Sequence, residues 1–417
     1  MPENIVVGQQ KQLVLASAGL GSISGSAIAN TVTTGSITIP MMKKLGYKSE
    51  QAPELKRQRS TGGQIMPPIM GAGAFVMAQF TGVPYSEIMI ASIAPAILYF
   101  FCTLLYVHIM ACKLDLKAVS RTEAVISVMK DGAHHLSPLI LITTLLMLAY
   151  SPLLVGVAGC VAILLTVALR KHSRIGFRKF IEGMEKGALL ALPISVACGA
   201  AGIIVGVVGQ TGIGLQFTQF VMDFSGGYML IALGLICLVA LVLGMGLPVT
   251  AAYIVLAVMA VPMLGDFGLP LLTSHLIIFW LSQSSNVTPP IALAAFAGAG
   301  VANANPMKSS VEAFKLAGGL FIIPIMMAYS DLVTPGASIF ELGLSIIQTL
   351  TVIVAIAISI EGHLLRKLTF VERVLSLCAI PVILINPFGF GFVGIILMAT
   401  LLLIQWRDRE PVSTVDI

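Results

Sequence analysis

The stretch GLGSISGSAIANTVTTGSITIPMMKKLGY, residues 19–47, decides the fold. It belongs to an apolar run, yet its first half holds Gly19, Gly21 and Gly25 interleaved with Ser22, Ser24, Ser26 and Asn30. Glycine permits the left-handed backbone that a re-entrant turn needs. Residues 5–20 and 26–42 therefore read as the two short helices of a hairpin that enters and leaves a membrane on one side. A cationic loop follows, with Lys43, Lys44, Lys48, Lys56, Arg57 and Arg59. The next apolar span, 61–80, is itself interrupted, because Ser60-Thr61-Gly62-Gly63-Gln64 leads into Pro67-Pro68. Proline removes a backbone donor and leaves a carbonyl one turn back without its partner. This span predicts a broken helix.

The same pattern recurs 222 residues later, where Pro40, Met41 and Gly46 match Pro262, Met263 and Gly268. Pro67-Pro68 match Pro289-Pro290, Gln64 matches Asn286, and after a one-residue slip Ala74-Phe75 match Ala295-Phe296. The second tip is Gly244-Met-Gly-Leu-Pro-Val-Thr250 in a hairpin over 228–264. The second broken span, 274–300, carries Ser282-Gln283-Ser284-Ser285-Asn286 and Thr288 before its prolines. The loop after the second hairpin, 264–274, has no Lys or Arg, whereas the loop after the first holds six. Basic loops stay in the cytoplasm, so the two copies face opposite ways. Inverted repeats with discontinuous helices place a ligand site near the bilayer midplane where the copies meet.

Composition agrees. Of 417 residues, 57% are hydrophobic and 10% charged, against about 25% charged in a soluble chain. A soluble enzyme or nucleic-acid binder is excluded, and the expected fold is all-α and polytopic, with the lipid bilayer as solvent. Further spans fall at 87–112, 136–150, 153–169, 188–208, 313–330, 340–361, 374–386 and 388–405. Basic residues at 113–130, 170–186 and 366–373 all fall inside if 188–208 crosses outward and 209–227 lies outside. The basic segment 170–186, with Phe177 and Phe180, reads as an amphipathic arm resting on anionic headgroups. Cys102, Cys112, Cys160, Cys198, Cys237 and Cys378 lack CxxC spacing and read as small buried hydrophobes. The N-terminus carries no secretory signal.

The second helix of each hairpin starts at its tip, with free N–H groups and a partial positive charge aimed at the midplane. A small carboxylate is the expected substrate, held by Ser24, Gly25, Ser26, Asn30, Gly246, Thr250, Gln64 and Asn286. Carbonyls and hydroxyls of Ser22, Thr61, Gly62, Gly63, Ser284, Ser285 and Thr288 make a hard, neutral oxygen cage suited to Na⁺. The alternative for each hydroxyl is a bond back to its own helix. His108 and His275 near span ends, and His134-His135 in a cytoplasmic segment, read as interfacial. No GxxxxGK[ST] motif is present, so direct ATP energisation has no support. A gated channel would need rings of charge or carbonyls along a pore. A membrane enzyme would need clustered His, Asp or Glu, yet Asp223 and Asp266 are the sole carboxylates between Lys186 and Lys308.

The tip, the first broken span STGGQIMPPIMGAGAFVMAQF, MGLPVTAAYI and SNVTPPIALAAFAGAGVA together resemble the large membrane (DctM-like) subunit of TRAP transporters, most nearly the fused 4TM/12TM permease of the TAXI branch. The resemblance covers about residues 5–330, so 1–330 is expected as the permease domain and 331–417 as additional C-terminal transmembrane helices. It implies no enzyme activity and no cofactor beyond a coupling Na⁺ or H⁺. It also implies an elevator motion of hairpins and broken spans, an extracytoplasmic solute-binding protein as partner, and an inner-membrane location. Family members carry further spans before the first hairpin and a small DctQ-like membrane domain. By the repeat, counterparts of 136–208 should precede residue 1, so the chain reads as part of a split or incomplete permease, inactive alone as one alternative. Where the family has a small, Ala-rich helix, this chain has Pro53-Glu-Leu-Lys-Arg-Gln-Arg59, which reads as a compensated frame slip.

Overall fold

The computed structural model describes residues 19–44, 60–113, 133–169, 174–245, 247–290, 292–364, 366–385 and 391–407. Among them there is no strand, only an isolated bridge between His363 and Lys367. Residues 19–24 are helical and break at Gly25-Ser26 before α1 (Ala27–Lys44). A helical turn at 60–62 opens the first broken span, which resumes as α2 (Ala72–Thr81) and leads to α3 (Tyr85–Lys113). Then come α4 (Ser137–Met147), α5 (Pro152–Leu169), α6 (Phe177–Thr211) and α7 (Ile213–Ser225). The second copy comprises α8 (Met229–Gly244), α9 (Val249–Asp266), α10 (Leu271–Ser282), a 3-10 turn (Gln283–Asn286) and α11 (Leu293–Ala302). The chain continues through α12 (Pro306–Leu316), α13 (Gly318–Tyr329), α14 (Ile339–Glu361), α15 (Phe370–Ile385) and α16 (Gly391–Arg407).

The repeat survives into three dimensions. Helices α1 and α9 have 18 residues each and start and finish 222 residues apart. The halves α2 and α11 have 10 residues each, and both Pro-Pro bonds are cis. At about 1.5 Å per residue, α2, α10 and α11 reach only about 15–18 Å, roughly half of a ~30 Å hydrocarbon core. Helix α1 packs on α11, and α9 packs on α2. Each copy thus lays the same helix against the same half-span of the other copy, the reciprocal contact that a two-fold relation produces.

The core lies where these elements meet. Leu272 through Ser282 are all buried in α10, and Trp280, Tyr99, Tyr106, Tyr253 and Phe279 are the largest fully covered side chains. Helix α13 joins α10 to α3, and α14 packs on both α3 and α13. Residues beyond 331 therefore share this core rather than standing apart. Their far end is tied by Glu372, which accepts from Arg366 at 2.7 and 3.1 Å, from the Thr369 amide at 2.8 Å and from Gln405 Nε2 at 3.2 Å. A buried carboxylate needs such donors, because without them the desolvation of its charge goes uncompensated.

Several expectations change. From Phe177 onward the basic segment is no separate interfacial arm: it forms the start of α6, a single helix of 35 residues. Such a helix is about 52 Å long, well beyond a ~30 Å core, so its basic end projects past the span. Residues 170–173 lie outside the described residues. The 209–227 stretch is largely helical as α7, turned from α6 by Gly212 at φ 69°. The 313–330 span begins at Pro306 and breaks at Ala317. Cys102 is buried as expected, but Cys160 and Cys378 are exposed on apolar helix faces. Lys48, Lys56, Arg57, Arg59 and the 53–59 segment lie outside the described residues.

Candidate functional site

The first tip turns at Gly25, whose φ of 59° belongs to the left-handed region. A side chain there would also collide with the carbonyl of Met70, so the tip rests on the loop of the broken span. That loop closes on itself, with the Gly71 amide donating to Gln64 O at 2.7 Å. Tyr85 OH pins it by donating to Pro68 O at 3.1 Å. Close backbone approach recurs in both copies. A Cβ on Gly63 would lie 2.6 Å from Gly21 C, and one on Gly244 would lie 2.9 Å from Ser285 Cα. Hairpin and broken span therefore meet backbone to backbone, near the polar run of each span.

The two copies touch through a side-chain bond. Asn286 Nδ2 donates to Gln64 Oε1 at 2.7 Å, and these residues are separated by the repeat offset. The polar runs that carry this pair also hold buried oxygens with no hydrogen-bond partner: Thr61 Oγ1, Gln283 Oε1, Ser284 Oγ and Ser285 Oγ. Thr61 and Gln283 occupy equivalent places in the repeat. An orphaned oxygen in a low-dielectric interior costs about 1–3 kcal/mol, so four of them in two short polar runs call for a ligand or an explanation. Neutral hard oxygens suit an alkali cation. Among the described residues, no group of three His, Cys, Asp or Glu side chains that could hold a metal gathers anywhere.

The expected site residues divide. Ser22 donates to Gly19 O at 2.9 Å and Thr288 to Ser284 O at 2.7 Å, so both hydroxyls bond back to their own segments. Ser24 is exposed and donates weakly to Gly21 O at 3.4 Å. Ser26 Oγ accepts from the Ala29 amide at 3.3 Å, which satisfies one donor at the start of α1. Asn30 is buried, and Thr34 donates to its Oδ1 at 3.0 Å. Gly62 is covered by Tyr99 and Phe100, leaving no space for a side chain. Thr250 is half-buried in the first turn of α9, and Gly246 lies outside the described residues.

Sequence reasoning missed Gln283, although the 222-residue offset pairs it with Thr61. It also missed Thr31, whose buried Oγ1 has no partner. His275 is corrected: it is 6% exposed, and its Nδ1 lies 2.8 Å from Tyr253 OH, so it is a core residue rather than an interfacial one.

Five helical runs among the described residues are long and apolar enough to cross a membrane, and the two interrupted, repeated segments sit among them. That combination defines a polytopic α-helical membrane protein of transporter type. The family described as Tripartite ATP-independent periplasmic transporter, DctM component, matches residues 5–333, and the chain belongs to it. It is thus a membrane component of a TRAP transporter, from a family of transporters rather than enzymes. No curated protein matches the chain.

Proposed function

We propose that the chain is the permease of an ion-gradient-driven carboxylate transporter, with Na⁺ as the coupling ion and substrate bound between the two copies. The observation that carries this reading is the Asn286–Gln64 bond across the repeat, together with the unpartnered oxygens of Thr61, Gln283, Ser284 and Ser285 in the same polar runs. The amide N–H groups of this pair would donate to a carboxylate bound between the copies, and the helix starts of α1 and α9 would add partial positive charge, with no Lys or Arg in either first turn. Na⁺ held on the orphan oxygens would draw the carboxylate in and compensate its charge at membrane depth. Gly62 and Gly63 contribute backbone carbonyls to the first copy, and Ser284 and Ser285 contribute hydroxyls to the second.

The family implies a periplasmic binding protein and a small DctQ component as partners, and the inner membrane as location. Hairpins and broken spans would move together against α3, α13 and α14. Uptake of labelled organic acids into proteoliposomes, with the binding protein and small component present, tests the reading. The expected result is accumulation that needs an inward Na⁺ gradient and falls when Thr61→Val or Ser285→Ala is introduced. Uptake indifferent to Na⁺ would remove the ion assignment, and equal transport of a neutral amide analogue would remove the carboxylate.

A further inference from the structure

The bond between Tyr253 OH on α9 and His275 Nδ1 on α10 is used by neither the substrate nor the ion. Tyr253 is fully covered, and Phe279, one turn on from His275, meets its ring edge-on at 5.7 Å. The pair joins the second helix of the outer hairpin to the first half of its broken span. An ionisable side chain at membrane depth is rare, because a charge there is costly, and it points to function together with its partner.

We propose that Tyr253 and His275 form a proton-operated latch: in its Nε2–H tautomer the neutral imidazole accepts a hydrogen bond at Nδ1 from the tyrosine hydroxyl and holds α9 on α10, and protonation of His275 releases it. A proton on Nδ1 turns that atom from acceptor into donor. The phenol oxygen must then accept, and its own proton loses its place. The imidazolium is also left as a buried charge, since His275 is 6% exposed beside Tyr253, which disfavours the closed arrangement. The titratable groups on the helices packed against α10 are Tyr253 and Asp266 on α9, Cys237 on α8 and Tyr329 on α13. Helix α2 and the 3-10 turn carry none. Asp331 lies in the loop whose Val333 carbonyl accepts from Thr273 at 3.3 Å. Among the described residues no carboxylate forms an ion pair with His275, and Asp266 stands 13 residues from Tyr253, about 20 Å along the helix. In the first copy Thr31 and Pro53 occupy the equivalent positions, so only the second hairpin is latched this way and the device answers to pH on one face.

The latch is read without transport. With Trp406→Phe, Trp280 remains the sole tryptophan, five residues after His275 on the same helix. Its fluorescence in the detergent-purified chain, titrated from about pH 8 to about pH 4, should show one reversible single-proton transition. Adding His275→Gln should abolish it. In the unmodified chain, hydrogen exchange corrected for intrinsic rate should accelerate at 249–266 on acidification and stay unchanged at 339–361. A flat titration, a transition that survives His275→Gln, or uniform acceleration would overturn the latch. A chain that transports but shows no transition sinks only the latch; one that shows the transition but does not transport sinks only the proposed function.

Discussion

Exchanging the two amides that bridge the repeat probes the joint between the copies. Gln64→Asn withdraws its carbonyl by one methylene, about 1.5 Å, stretching the 2.7 Å bond from Asn286 to about 4 Å, past hydrogen-bond range. Asn286→Gln alone pushes an extra methylene into a site where Asn286 is 3% exposed, with an expected cost of about 1–3 kcal/mol. The double exchange restores the total reach, and the amides should pair again. Interhelical hydrogen bonds in membranes couple by about 0.6–1.7 kcal/mol, so the double variant should be more stable than the sum of the single losses by that amount. Reversible unfolding of the detergent-purified protein, read by tryptophan fluorescence in all four variants, gives the coupling directly. Losses that simply add would show that the bond does not join the copies, and the shared site built on it would fall with it.

Other consequences are more local. Gly63→Ala drives a methyl against the Gly21 backbone and should destabilise by about 1–3 kcal/mol, whereas Gly206→Ala, inside α6 with open space around it, should stabilise by up to about 1 kcal/mol in the same unfolding assay. Glu372→Ala removes the acceptor of Arg366, Thr369 and Gln405 and should cost about 1–3 kcal/mol, with Glu372→Gln costing less because its carbonyl oxygen still accepts from Thr369. Asn305 caps α12 by accepting from the Met307 and Lys308 amides at 3.0 and 3.1 Å. Asn305→Ala should lose about 1 kcal/mol, and Asn305→Asp should lose nothing.

What the sequence discloses here follows from which residues have strong local preferences. Gly25 admits a left-handed turn that other residues rarely adopt, and Pro67-Pro68 and Pro289-Pro290 restrict the backbone whatever surrounds them, so the tip and both breaks were readable within a residue or two. The repeat then predicted the partnership of Gln64 with Asn286 by position alone, though not that they touch. Contacts between distant segments leave no local mark. Nothing near His275 announces Tyr253, and the orphaned oxygen of Gln283 is visible only once α10 is buried on every side. The start of α6 misled because its charges favour an interface, while Arg178 and Glu182, paired at 3.2 Å one turn apart, favour helix continuation. Cys160 and Cys378 misled because lipid, unlike water, accepts an exposed thiol.

Opposed orientation of the copies would make the proposed site between them open to either side in turn, and the equivalent helix ends Lys44 and Asp266 report on it. With the six native cysteines replaced, Lys44→Cys and Asp266→Cys can each be challenged by a membrane-impermeant thiol reagent from either side of oriented vesicles. Lys44→Cys should react only from the cytoplasmic face and Asp266→Cys only from the opposite one. Reaction of both from a single face would contradict the inversion, and with it the site between the copies.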